Sequence, residues 1–208
     1  NKANYVVLEA SEDCPSKTYC QEFIEGSLQD PLKIEALASK VDVLTWEIEH
    51  IAVDALVKLA NEGKKIIPYP SVLKLIQDKG TQKDFYIQNN IPTAPYLLVD
   101  SDQLTGVNWQ DFPGEKVVVK TRTGGYDGKG VAICNKADLA AGDCPFEGSL
   151  LLEHFIPDVL ELAVIVAVDQ QLNAITYPSI EMYFNPESNL VEFLYSPAQV
   201  DSYIEDQC

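Results

Sequence analysis

Positive charge and glycine crowd into one short stretch of an otherwise acidic chain. From Val117 to Cys134 the sequence reads Val-Val-Val-Lys-Thr-Arg-Thr-Gly-Gly-Tyr-Asp-Gly-Lys-Gly-Val-Ala-Ile-Cys, with glycines at 124, 125, 128 and 130. Lys120, Arg122 and Lys129 supply the cations. Glycine lets the backbone adopt angles other residues resist and lets a ligand come close to the main chain. Successive free N–H groups in such a turn form a concavity suited to anions. The pattern predicts a strand, a phosphate-covering flap and a second strand, with a polyphosphate as guest.

The spacing excludes two other phosphate loops. A P-loop needs Ser or Thr after its Gly-Lys and opens a helix, whereas Lys129 is followed by Gly130. The dinucleotide fingerprint Gly-x-Gly-x-x-Gly is not met by Gly125-x-x-Gly128-x-Gly130, which lies between two β-branched runs. A plain hairpin takes two to five loop residues, and here nine separate Thr121 from Val131.

The rest of the chain must position that loop. Among 208 residues Asp and Glu outnumber Lys and Arg by 32 to 15, giving a net charge of −17. Such a chain repels nucleic acid and anionic membranes, so a local basic cluster runs against the background. The five cysteines, at 14, 20, 134, 144 and 208, show no CxxC spacing and fit reduced thiols in a cytoplasmic protein. Two histidines cannot build a His-rich metal site.

In residues 1–70, short apolar strands at Tyr5–Leu8, Val43–Trp46 and Ile66–Ile67 alternate with helical periodicity at Ile34, Leu37, Ala38, Val41 and at Val53, Leu56, Val57, Ala60. Asp30 caps the first helix with Pro31 behind it, and Gly63 stops the second. Alternation of this kind predicts a parallel, Rossmann-like sheet. Ligands gather at the carboxyl ends of such strands, which puts Glu47 and Glu49 at a binding edge or on a merely solvated loop.

Ser71 is expected to cap a helix that Gly80 interrupts, its second half turning Phe85 and Ile87 inward and Lys83 outward. The extended connector Ile91–Pro95 follows. Beyond it come a short helix at Asn135–Ala141, a strand at Ser149–Leu152 and a long strand at Leu160–Val168. Two hairpins turn at 169–171 and 185–189. From Val117 the pattern is α+β and mostly antiparallel.

Several segments together resemble the N5-carboxyaminoimidazole ribonucleotide synthetase family, the ATPase subunit of phosphoribosylaminoimidazole carboxylase, within the ATP-grasp superfamily. They are Asp42–Ile51, Ile76-Gln77-Asp78-Lys79 with Gln82-Lys83, Ile91–Pro95, Lys120–Gly130, Leu152–Ile156 and Glu161–Val166. The resemblance implies α/β plus α+β architecture. Residues 1–70 would be a Rossmann-like pre-ATP-grasp domain lacking its first strand. Residues 71–208 would be an incomplete ATP-grasp domain with a flap subdomain at about 117–155.

The resemblance also implies roles. Lys120 would meet the α- and β-phosphates of ATP as a point charge. Gly125, Tyr126, Asp127, Gly128, Lys129, Gly130 and Val131 would close over the triphosphate. Lys79 stands where the family usually has Arg, so the charge stays but the bidentate fork is lost. Glu153, His154, Phe155 and Ile156 would offer a backbone edge to adenine. Glu161 would accept from the ribose hydroxyls; an unpartnered charge in the apolar run around it would be costly. Tyr126, Asp127 and Glu49 (or Glu47) would face 5-aminoimidazole ribonucleotide.

The implied chemistry is ATP-dependent carboxylation of that ribonucleotide by bicarbonate through carboxyphosphate, in a homodimer. The family's opening strand and glycine turn would precede Asn1. Its Mg²⁺ ligands would follow Cys208, so the chain is expected to be a piece that binds ATP without turnover. Phe184 replaces a family His and is not taken as a site, and Glu181 and Glu192 are expected on solvated hairpin strands. Alternatives are another ATP-grasp purine ligase or a non-catalytic nucleotide-binding module.

Overall fold

A computed structural model describes residues 3–125, 129–169, 171–185 and 190–208. The chain divides into two compact units: residues 1–99 with 121–124 and 149–151, and residues 100–120 with 125–148 and 152–208.

In the first unit, β1 (Val6–Glu9) pairs in parallel with β2 (Glu22–Glu25). Sequence reasoning missed β2, whose four residues, Glu, Phe, Ile and Glu, do not alternate and are too few to separate from a polar turn. Helix α1 (Pro31–Lys40) begins where the Asp30 carboxylate accepts from Leu32 N–H, with Pro31 at its first position. It leads to β3 (Val43–Leu44), helix α2 (Val53–Asn61) and β4 (Lys65–Ile66), with β3 and β4 parallel. Gly63, at φ +94°, ends the turn after α2 in a conformation that favours glycine. Leu8, Ile34, Ala38, Leu44, Ile51, Leu56, Ile66 and Leu73 form one buried apolar cluster. The helical faces at Ile34/Ala38 and Leu56 are the ones the periodicity marks.

The following helical region differs from expectation. Helix α3 (Pro70–Ile76) starts after Tyr69, with Pro70 rather than a Ser71 cap at its N-terminus. The break lies at Gln77–Asp78, and helix α4 (Lys79–Gln88) holds Gly80 in its first turn. Asp78 caps α4 by accepting from the N–H groups of Gly80 at 2.9 Å and Thr81 at 3.1 Å. The inward and outward faces of α4 are also reversed. Phe85 and Ile87 are exposed, while Lys83 is buried with its ammonium on the Thr93 hydroxyl and the Ala94 carbonyl. A long side chain hides its stem and satisfies its charge at the tip, which apolar periodicity cannot reveal.

Strands β5 (Tyr96–Asp100), β6 (Lys116–Thr121), β7 (Val131–Asn135) and β8 (Ser149–His154) form a four-stranded sheet in the order β5-β8-β6-β7. Strands β6 and β7 are antiparallel with Lys120 opposite Val131. Val117, Val119, Leu150, Leu151 and Leu152 are wholly buried. Helix α5 (Lys136–Ala140) follows β7 and buries Leu139.

The expected single strand over Leu160–Val168 is two strands with different partners. Strand β9 (Glu161–Ala163) belongs to a three-stranded antiparallel sheet, while β10 (Val166–Val168) pairs with β11 (Ala174–Thr176). The three-stranded sheet has the order β13-β12-β9, with β12 (Ile180–Phe184) in the centre and β13 (Val191–Tyr195) at one edge. Helix α6 (Ser202–Gln207) brings the Glu205 carboxylate onto the N–H and hydroxyl of fully buried Ser179. Those two donors outweigh burial and hold the Glu205 carboxyl below the ordinary carboxylate range. Glu181 is buried rather than solvated, accepting from the Tyr183 hydroxyl and from Gln199 N–H at 3.4 Å, whereas Glu192 is exposed as expected.

Candidate functional site

The glycine loop closes on the Lys120–Val131 pair where β6 and β7 meet. Gly124 and Gly130 adopt φ of +77° and +73°, which strain any side-chain-bearing residue, so the bends on each side of the loop depend on glycine. Tyr126, Asp127 and Gly128 lie outside the described residues. Gly125 and Gly130 are half-buried, Val131 likewise, and Lys129 is exposed.

Lys120 does not stand as a bare cation. Its Nζ is 2.5 Å from Glu153 Oε2, and the two side chains retain 28% and 11% of their exposure. Because β8 neighbours β6, the pair bridges adjacent strands. A charge-assisted bond of this kind is short and holds the ammonium in a fixed direction. Glu153 was expected to matter only through its backbone; its carboxylate is the ionic partner of the lysine.

From Glu153 the chain runs off the end of β8 through His154, Phe155 and Ile156. The His154 ring meets the Asp111 carbonyl at 3.1 Å and packs edge-on to Phe112 at 5.1 Å. Phe155 lies under the Lys116 ammonium at 5.8 Å, and Ile156 is exposed. Both ring side chains thus have partners within the protein. Glu161, opposite Met182 in β9, is exposed, as is Leu160 beside it. The expectation that an apolar setting would make that charge costly does not hold.

In the first unit Arg122 carries the junction of β6 and the loop. Its Nε is 2.7 Å from Asp78 Oδ1, its N–H donates to Ser149 O at 3.0 Å, and its carbonyl accepts from Lys79 N–H at 2.9 Å. Burial pushes the Asp78 carboxyl up. The Arg122 bond, the Thr81 and Gly80 N–H donors and the guanidinium charge outweigh it and leave the group below its ordinary range. Lys79 is therefore anchored by its backbone beside the loop's root. Glu47 and Glu49 are exposed beyond the carboxyl end of β3.

Sequence reasoning placed Lys120, Val131 and Glu153 in one site, and the structure brings those three together. It missed the Asp78–Arg122 pair. The pattern Asp78-Lys-Gly-Thr81 is a readable helix start, but nothing in sequence says which cation its cap also holds.

The antiparallel pair β6–β7 with Lys120 and its glycine-rich connection, and the parallel strand pairs earlier in the chain, define the class to which the protein belongs. The ATP-grasp domain model matches residues 84–208, and that of the ribonucleotide synthetase preATP-grasp domain matches residues 2–77. The chain belongs to the ATP-grasp family. A phosphoribosylaminoimidazole carboxylase of Ogataea methanolica is 33% identical over 209 residues, covering 96% of this chain and 37% of that protein. The N5-carboxyaminoimidazole synthetase of Staphylococcus aureus complexed with ADP superposes with a TM-score of 0.87 at 27% identity, covering 98% of this chain and 54% of the other. The N5-carboxyaminoimidazole synthase of Aspergillus clavatus, in complex with ADP and 5-aminoimidazole ribonucleotide, gives 0.81 at 26% identity, with 96% and 52% covered. The chain spans between about a third and a half of the length of these proteins.

Proposed function

We propose that this chain carries the nucleotide-grasping part of an ATP-dependent carboxylation of 5-aminoimidazole ribonucleotide to N5-carboxyaminoimidazole ribonucleotide in purine biosynthesis. The observation that carries this reading is the Lys120–Glu153 pair beside the glycine loop, in a fold shared with synthetases solved with ADP and with 5-aminoimidazole ribonucleotide.

The triphosphate lies under residues 124–131, neutralised by Lys120, Lys79 and loop N–H groups. Positioning and charge stabilisation dominate phosphoryl transfer. Adenine rests on the main chain of 153–156 and the ribose on Glu161. Bicarbonate attacks the γ-phosphate, the γ-phosphate–oxygen bond to ADP breaks, and carboxyphosphate forms. Its carboxyl passes to the exocyclic amine of the ribonucleotide, releasing phosphate. Tyr126, Asp127 and Glu49 contact that ribonucleotide. No side-chain nucleophile is required.

Mg²⁺ with the triphosphate is part of the proposal. Among the described residues no group of three or more His, Cys, Asp or Glu could hold a metal ion, so no protein ligand is assigned to it. The division into a first domain over 1–70 and an ATP-grasp domain over 71–208, a homodimer and a cytoplasmic setting belong to the same reading. The last is supported by five free cysteines. Among the described residues no helix is long and apolar enough to cross a membrane.

Calorimetric titration tests the proposal. ADP and 5-aminoimidazole ribonucleotide should each bind saturably; binding of neither overturns it. Nucleotide turnover that depends on glycine or formate, rather than on bicarbonate, would instead assign another ligase of the family.

A further inference from the structure

The junction between α3 and α4 holds two loops at once. On one side Gln77 Nε2 donates to the carbonyls of Glu49 at 2.7 Å and Ile51 at 2.9 Å. On the other, Asp78 Oδ1 takes Arg122 Nε, while the next N–H, of Lys79, takes the Arg122 carbonyl. Consecutive residues 77, 78 and 79 thus peg the Glu49 loop and the root of the glycine loop to one short turn. A Cβ at Gly80 would lie 2.9 Å from Arg122 Nε and 3.1 Å from Asp78 Oδ1, so the close packing of this junction relies on glycine.

We infer that Gln77 and Asp78 are positioning residues, which fix the ribonucleotide-facing loop and the phosphate-facing loop relative to a common helix junction. The chemistry explains the residue types. A primary amide offers two N–H donors on one nitrogen, which suits two carbonyls of one loop. A carboxylate caps a helix and pairs with a guanidinium at once. Loops that must be held for ligand binding need such supporting contacts, since loop backbone has few partners of its own. The inference rests on the proposed function for what the two loops bind, but not for the pegs themselves.

Hydrogen–deuterium exchange on the ligand-free chain decides it. Gln77→Ala removes both bonds and should speed exchange over residues 47–51 by about fivefold to twenty-five-fold, one ordinary hydrogen bond being worth about fivefold, and leave residues 121–125 unchanged. Asp78→Asn keeps a cap acceptor but loses the charge, and should do the converse. Arg122→Lys should reproduce the Asp78→Asn pattern more weakly. ADP affinity should fall in Asp78→Asn and hold in Gln77→Ala. Faster exchange throughout the first unit, including Leu73 and Leu56, or no change in either loop, overturns the inference. The selective pattern in a chain that binds no ADP would overturn the nucleotide reading while upholding the pegs.

Discussion

Lys120 Nζ sits 2.5 Å from Glu153 Oε2, so the lysine proposed to meet the phosphates is already paired with a nearly buried carboxylate on the neighbouring strand. The pair is structural before any nucleotide arrives. Removing one member leaves the other charged in a poorly solvated place. Lys120→Ala is expected to lower stability by about 2 kcal/mol, discounted from a fully buried pair because Lys120 keeps part of its hydration. The double variant Lys120→Met/Glu153→Leu should lose less than the sum of the single changes. Urea midpoints of the four proteins check this.

Acid should act through Asp78. Its folded carboxyl titrates below the ordinary range. A depressed pKa means its contribution is present above the unfolded value near about 4, and is lost as pH falls through the lower folded value. The gap in melting temperature between the natural chain and Asp78→Asn should therefore be widest near neutral pH and close as the pH drops below about 4.

Gly80 sits inside α4, where alanine ordinarily adds stability. Here the added methyl meets Arg122 Nε, Leu98 Cδ1 and Asp78 Oδ1 at 2.9, 3.0 and 3.1 Å. Gly80→Ala should destabilise by about 1–2 kcal/mol rather than stabilise. Thermal unfolding of the variant gives the sign.

Lys83 should behave as a buried residue despite its charge. Lys83→Met leaves the Ala94 carbonyl and the Thr93 hydroxyl without that donor, at a cost of about 1–3 kcal/mol. Lys74→Met, on an exposed pair with Asp54, should change stability by less than about 0.5 kcal/mol. Equal effects in urea titrations would contradict the placement of α4.

These residues also show where sequence was sufficient and where it was not. Periodicity located α1, α2 and their buried faces because Ile34, Ala38 and Leu56 are apolar and one-sided. Glycine spacing located the loop, because Gly124 and Gly130 occupy angles that demand glycine. Strand partners were not readable. The apolar run around Leu162–Val168 looks continuous, yet hydrogen bonding divides it between β12 and β11. Nor were polar partners: Lys83, Asp78 and Arg122 are hydrophilic by type, and only the fold shows that Lys83 turns onto Thr93 and that Asp78 and Arg122, far apart along the chain, pair with each other. Glu181 was misread for the same reason, being polar in sequence and buried in fact.

The proposed function requires the Lys120–Val131 loop and the 153–156 backbone together to grasp an adenine nucleotide. A crystal structure of the chain with MgADP tests it most directly. Phosphate oxygens should lie within about 3 Å of Lys120 Nζ and of loop N–H groups, with the adenine edge on the main chain of 153–156. A nucleotide bound away from both segments, with the Lys120–Glu153 pair undisturbed and no phosphate contact to the loop, would contradict the account.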